Sequence, residues 1–130
     1  MYKSTGKLVY SPKTHLRTSE RWLVLMCDDQ LSQYYRQLYR QEYFYRPKLQ
    51  RPVWGTHISI CRGEVIPNAA AWGFAANKFI NFEYEAGVKN NHEYFWLKVH
   101  CDELCAIREL FGLKREPQFG LHLTIGRVTT

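Results

Sequence analysis

Two histidines, each followed two residues later by a hydroxyl, carry the chemistry that this sequence offers. They are His57 with Ser59 and His122 with Thr124, 65 residues apart in a chain of 130. Imidazole titrates near neutral pH, so one neutral ring can take a proton while a second, protonated ring gives one up. A hydroxyl beside each ring can donate a hydrogen bond to an oxygen of a tetrahedral anion. Two such pairs around one polar space would hold a phosphoryl group between a base and an acid, with fixed donors meeting the charge that develops.

Both pairs sit in a longer repeat. Pro52-Val53-Trp54-Gly55-Thr56-His57-Ile58-Ser59-Ile60-Cys61-Arg62 is answered by Pro117-Gln118-Phe119-Gly120-Leu121-His122-Leu123-Thr124-Ile125-Gly126-Arg127. Such an internal repeat governs how the rest of the chain is read. Alternation predicts a strand in each copy, with Ile58 and Ile60 on one face and His57 and Ser59 on the other. The second copy opposes Leu121, Leu123 and Ile125 to His122 and Thr124, so each strand turns an imidazole and a hydroxyl away from the core. Arg62 and Arg127 close the two copies and are candidate phosphate ligands. Their odd spacing from the histidines puts them on the opposite face unless a bulge at Gly63 or Gly126 turns them.

The flanking sequence supplies the elements that must position these strands. Gly6 to Tyr10 reads as a short strand, and Arg21 to Cys27 as an apolar one ended by Asp28. Leu31, Tyr34, Tyr35, Leu38 and Tyr39 have the spacing of one buried helix face, capped by Asp28 or Asp29 and stopping before Pro47. With the first His strand this completes a β-α-β unit. Residues 65–78 show no clear period. Phe79 to Glu85 and Glu93 to Cys101 read as a hairpin around the turn residues Gly87 to Asn91. Asp102 then caps a short helix with Leu104, Ile107, Leu110 and Phe111 on one side, ended by Gly112. Trp22 to Asp29 matches Trp96 to Glu103 in residue type at an offset of 74, so each half reads strand, capped helix, loop, His strand. The predicted fold is α+β: two similar lobes with antiparallel sheets, related by approximate two-fold symmetry, with helices outside and the His strands lining a central cleft.

Composition narrows the classes. A chain of 130 residues reads as a single domain, residues 1–130, able to bury a core without metal or disulfide support. No apolar run is long enough to span a bilayer and no signal peptide is visible, so a soluble, cytoplasmic protein is expected. Cys27, Cys61, Cys101 and Cys105 lack the spacing of a zinc site or a secreted disulfide framework. His100, Cys101 and Cys105 are close in sequence but have no fourth ligand, and no metal is expected. His15 and His92 fall in polar loops. A serine nucleophile is disfavoured by the absence of a Gly-rich elbow and of a triad acid. The net charge of +6 favours polyanionic partners. Nine Tyr and four Trp are consistent with an aromatic core or with base stacking, for which Tyr10, Trp72 and Tyr84 are candidates.

In these residues the chain resembles the 2H phosphoesterase superfamily, the LigT-like proteins, defined by two copies of His, hydrophobic, Thr or Ser, hydrophobic. Here they are His57-Ile58-Ser59-Ile60 and His122-Leu123-Thr124-Ile125. The surroundings Tyr10-Ser11-Pro12, Cys27-Asp28-Asp29, Tyr34-Tyr35-Arg36 and Arg62-Gly63-Glu64 look most like the phage-associated Swiss Army Knife RNA repair-like branch. The resemblance implies metal-independent, cofactor-free chemistry on phosphodiesters: 2′,3′-cyclic phosphates, 2′-5′ linkages or cyclic oligonucleotide messengers. It implies His57 and His122 as catalytic residues and Ser59 and Thr124 as substrate donors. The implied partner is a nucleotide or short RNA, with no membrane and no obligatory protein partner, in the host cytoplasm if the protein is phage-encoded. A binding module that holds RNA or a nucleotide in the same basic cleft without cleaving it is the alternative from another class.

Overall fold

A computed structural model of the chain describes residues 1–11, 20–42, 48–52 and 55–128. In chain order the elements are β1 (Tyr2–Ser11), β2 (Glu20–Cys27), α1 (Asp29–Glu42), β3 (His57–Val65), a 3₁₀ turn at Ala69–Ala71, β4 (Phe79–Tyr84), β5 (Lys89–Asn90), β6 (Tyr94–His100), α2 (Asp102–Leu110) and β7 (His122–Arg127). The fold is α+β with an antiparallel sheet ordered β4-β1-β2-β3-β7-β6-β5. The sequence places each strand by alternation: Leu23 and Leu25, Phe95, Leu97 and Val99, and Leu123 and Ile125 are buried on one face. Both helices lie on that face. Tyr35 of α1 packs edge-on to Tyr84 and Tyr39 to Phe95, while Phe111 at the end of α2 meets Tyr10. Among the described residues, no helix is long and apolar enough to cross a membrane.

The two halves do not stand apart as lobes. β4 pairs with β1 from Tyr2–Tyr84 to Lys7–Phe79 and also with β6 at Glu83–His100 and Tyr84–Val99, so six strands close into one barrel. Closure gives partners to backbone groups that two open sheets would leave exposed along their edges. The expected hairpin is likewise redistributed, because β4 meets β6 at only those two pairs and the supposed turn contributes β5, which pairs with β6 at Lys89–Trp96 and Asn90–Phe95. β2 and β3 are antiparallel neighbours although a helix joins them. The loop around His15, the end of the first helix before Pro47, and Trp54 lie outside the described residues.

The repeat has a different register in space from the one its residue types suggest. Val24 lies opposite Ser59 and Leu23 opposite Cys61, while Trp96 lies opposite Thr124 and Phe95 opposite Gly126. The offset between β2 and β6 is therefore 72 residues, not the 74 that aligns Trp22 with Trp96. Trp22 and Trp96 share a type without sharing a place. Each His strand also carries an extra residue at the same point, Ile60 in β3 and Ile125 in β7, where the register shifts.

Each of these bulges is held by an arginine from the helix of the other half. Arg36 of α1 donates from Nη1 to the Ile125 carbonyl at 2.7 Å, and Arg108 of α2 donates from Nη1 to the Ile60 carbonyl at 2.7 Å. Arg36 and Arg108 are again 72 residues apart. Arg108 is only 3% exposed and also binds both oxygens of Glu64 and the Lys114 carbonyl, which satisfies a charge that burial would otherwise make costly. Gly126 follows the second bulge because a Cβ there would lie 2.8 Å from the Gln50 carbonyl oxygen and 2.9 Å from Leu49 Cβ. Replacing Arg108 by Ala strands the Ile60 carbonyl and the Glu64 carboxylate together, and is expected to cost about 3–5 kcal/mol in denaturant unfolding. A loss below about 1 kcal/mol, the worth of one ordinary hydrogen bond, would show that the arginine does not hold the bulge.

Candidate active site

The two His strands are neighbours in the sheet, with Ile58 opposite Leu123 on the core side. Continuing that antiparallel register by one residue in each direction sets His57 opposite Thr124 and Ser59 opposite His122. Directly opposed residues lie about 4.5–5.5 Å apart at Cα and point to the same face. That continuation arranges the four groups as a square on the face away from the helices, with the two imidazoles on one diagonal and the two hydroxyls on the other; Ser59 and His122 line one cavity, which includes neither His57 nor Thr124. Among the described residues, neither hydroxyl has a protein hydrogen-bond partner.

Each imidazole is aimed by the turn before it. His57 Nδ1 bonds the Gly55 carbonyl at 2.9 Å and His122 Nδ1 bonds the Gly120 carbonyl at 3.1 Å. A carbonyl only accepts, so Nδ1 carries the proton in both rings and Nε2 is the atom free to act. The same geometry explains the Gly in each copy. Gly55 and Gly120 have φ of +81° and +71°, a left-handed backbone that folds the carbonyl back onto the ring two residues later. The first turn of α1 secures the approach to His57. Asp29 accepts the Thr56 N–H at 2.9 Å and Ser32 shares a 2.6 Å hydroxyl contact with Thr56. The Thr56 N–H holds the Asp29 carboxyl below its usual range.

The bulge at Ile60 resolves the position of Arg62. Cys61 takes the core side in its turn and is fully buried, so Arg62 returns to the face of His57 and Ser59. With Ser59, Glu64, Phe119 and His122 it lines a cavity of about 350 Å³. His122 is pulled below the ordinary 6.5, first by burial, which disfavours the cation, and then by the charges of Arg62 and His57; the Gly120 carbonyl opposes the shift.

The other expected residues are placed differently. Arg127 is turned by the second bulge but pairs its backbone with Gln50 in both directions, lines neither cavity beside His122, and has a buried Nε without a partner among the described residues. Tyr10 is corrected from substrate ligand to core. Its ring is 9% exposed and edge-on to Trp72 at 4.7 Å, its hydroxyl donates to the Phe74 carbonyl, and burial pushes its ionisation up to about 12. Tyr84 is buried against Tyr35. His100 bonds Glu85 at 2.6 Å and the Cys101 thiol points to the Asn81 carbonyl, and among the described residues no three ligand types converge on a metal position. A cavity of about 830 Å³ lies between β1, β4 and the start of α2 and contains no residue of either His strand. Volume is a poor guide here; the converging donors mark the site.

No family model, no curated protein and no solved structure matches this chain. The site is therefore read from its own geometry. Sequence reasoning missed Arg36, Arg108, Glu64 and Phe119 as parts of it. Arg108 left a signal as a charge between Leu104, Ile107 and Phe111 on the buried side of α2, while Arg36, Glu64 and Phe119 stood in the matched stretches without a role.

An NMR titration of the imidazole nitrogens is expected to find His122 ionising below 6.5, with the Arg62→Gln substitution moving its midpoint upward. An unmoved midpoint would take Arg62 out of the site. Because the unfolded chain binds a proton at the ordinary value while the folded one resists it, stability should decline as pH falls below 6.5.

Proposed function

We propose that this protein is a metal-independent phosphodiesterase acting on a nucleotide phosphodiester by two-histidine general acid-base catalysis. The substrate is a cyclic oligonucleotide messenger or a 2′,3′-cyclic phosphate or 2′-5′ linkage. The observation that carries this reading is the adjacency of the two His strands at Ile58–Leu123, with each imidazole held at Nδ1 by a glycine carbonyl so that Nε2 is left for chemistry. A phosphate lying over the square has an imidazole at each end and a hydroxyl on each flank.

In the proposed reaction, neutral His122 takes the proton of the attacking water or ribose hydroxyl at Nε2. The new P–O bond forms as the bond to the departing oxygen breaks, and protonated His57 gives its Nε2 proton to that oxygen. Ser59 and Thr124 donate to the non-bridging oxygens, and Arg62 balances their charge. Burial of His122 supports its role as base, since it favours the neutral ring at neutral pH. Proton exchange with solvent resets both rings.

The recurrence of pairings 72 and 65 residues on supports descent from a duplicated half with approximate two-fold symmetry, as in the 2H phosphoesterases. A cytoplasmic setting, in the host if the protein is phage-encoded, goes with such a substrate.

Substituting either His57 or His122 by Ala is expected to lower turnover by ~10²–10⁴-fold while circular dichroism stays that of the parent. The assay is a panel of cyclic dinucleotides, cyclic trinucleotides, 2′-5′ oligomers and RNA ends bearing 2′,3′-cyclic phosphates. Binding across that panel without turnover, or full turnover by either variant, would end the proposal. Both proton transfers run through imidazole, so a chelator is expected to leave the rate unchanged; a rate that needs added metal would contradict the mechanism.

A further inference from the structure

The square of catalytic groups does not end at β7. Across the next pair of strands Lys98 lies opposite His122 and Trp96 opposite Thr124, and on the far side Lys89 lies opposite Trp96. Since opposed residues share a face, Lys98, Trp96 and Lys89 extend the rows of the site outward over β6 and β5. They line a second cavity of about 320 Å³ that also takes in Glu116, Phe119 and His122. Trp96 is edge-on to the His122 ring at 6.1 Å between centroids. Phe119 stands on the ridge between the two cavities, 84% exposed and with φ of +70°, a backbone state that L residues seldom adopt.

The opposite flank of the square is built otherwise. At the corresponding positions of β2, Met26 lies opposite His57 and Val24 opposite Ser59. Where the repeat keeps apolar side chains on one side, it has placed an ammonium and an indole on the other. Lys89 and Lys98 face Glu116 within the cavity and act on Glu85 beside it, so they offer an anion two ammoniums that no carboxylate pairs directly among the described residues, and the exposed Phe119 with the half-buried Trp96 at the edge suits the face of a base.

We infer that the cavity over β5 and β6 is a second nucleotide subsite, in which Lys89 and Lys98 hold the phosphate next to the scissile one and Phe119 with Trp96 flank a base. The substrate then carries at least two phosphates and is an oligonucleotide, linear or cyclic, rather than a mononucleotide. This rests on the phosphodiesterase reading for the position of the scissile phosphate. Binding at the subsite itself does not require turnover.

The test uses the full chain with both histidines changed, His57→Ala and His122→Ala, and measures binding of three probes: adenosine monophosphate, the dinucleotide ApA with one phosphate, and pApA with two. We expect pApA to bind at least about tenfold more tightly than the mononucleotide, as charge-assisted contacts to one further phosphate allow. ApA should fall nearer the mononucleotide, and added salt should narrow the gap. Introducing K89Q and K98Q, both at exposed positions, should abolish the preference for pApA over ApA, and F119A should weaken both dinucleotides. Equal binding of pApA and ApA, or a preference that survives K89Q and K98Q, overturns the subsite. If the parent chain turns over no phosphodiester while the lysine-dependent preference is present, the subsite stands and the catalytic reading falls. Turnover without that preference has the reverse meaning.

Discussion

An arginine from each helix reaches across to the other half and bonds the carbonyl of a strand bulge, and the rest of the site follows from that exchange. The bulges at Ile60 and Ile125 shift the phase of β3 and β7, and β3 shifts once more at Gly63, the bulge position that the sequence offers beside Arg62. A carbonyl displaced from its ladder needs a donor, and a guanidinium brings one with several N–H groups to spare. Arg108 spends the others on Glu64 and Lys114, and Arg36 bonds Ser32 as well. Each half is thereby locked to its partner's His strand. The β3–β7 seam, which has a single core-side pair at Ile58–Leu123, is spanned by side chains from both directions.

Imidazole orientation is a second consequence of backbone conformation. Left-handed Gly55 and Gly120 place carbonyls under the Nδ1 atoms, and neither glycine could be replaced by an L residue without strain. Among the described residues the Nδ1 partners are main-chain carbonyls, with no carboxylate that would raise the basicity of the ring. Burial then moves His122 toward the neutral form, and a nearby guanidinium adds to that tendency.

Barrel closure explains why the site is a surface of one sheet and not a gap between two bodies. Apolar residues of β3 and β7 face the same core that receives Tyr35, Tyr39, Leu104 and Phe111 from the helices. The polar residues of those strands have the outer face to themselves, and the loop bearing Phe119 rises at its margin. Such an arrangement keeps the side chains of the candidate site on strands, with the Phe119 loop and the β5–β6 edge at its border.

The sequence by itself determined the two His strands, their in-and-out alternation, both helices and the α+β class, because period, capping acids and the repeated Pro-x-aromatic-Gly pattern are local properties of neighbouring residues. It also identified the pairing of imidazole with hydroxyl. Only the tertiary structure decided that β1 joins β4, that Tyr10 belongs to the core, that the halves correspond at 72 residues, and that Arg62 shares a face with His57 while Arg127 is drawn to an isolated bridge with Gln50. Those outcomes depend on strand partners and on which donor reaches a displaced carbonyl. A one-residue bulge reverses every side-chain direction beyond it, and nothing in the spacing of Ile60, Cys61 and Arg62 announces where the extra residue will fall.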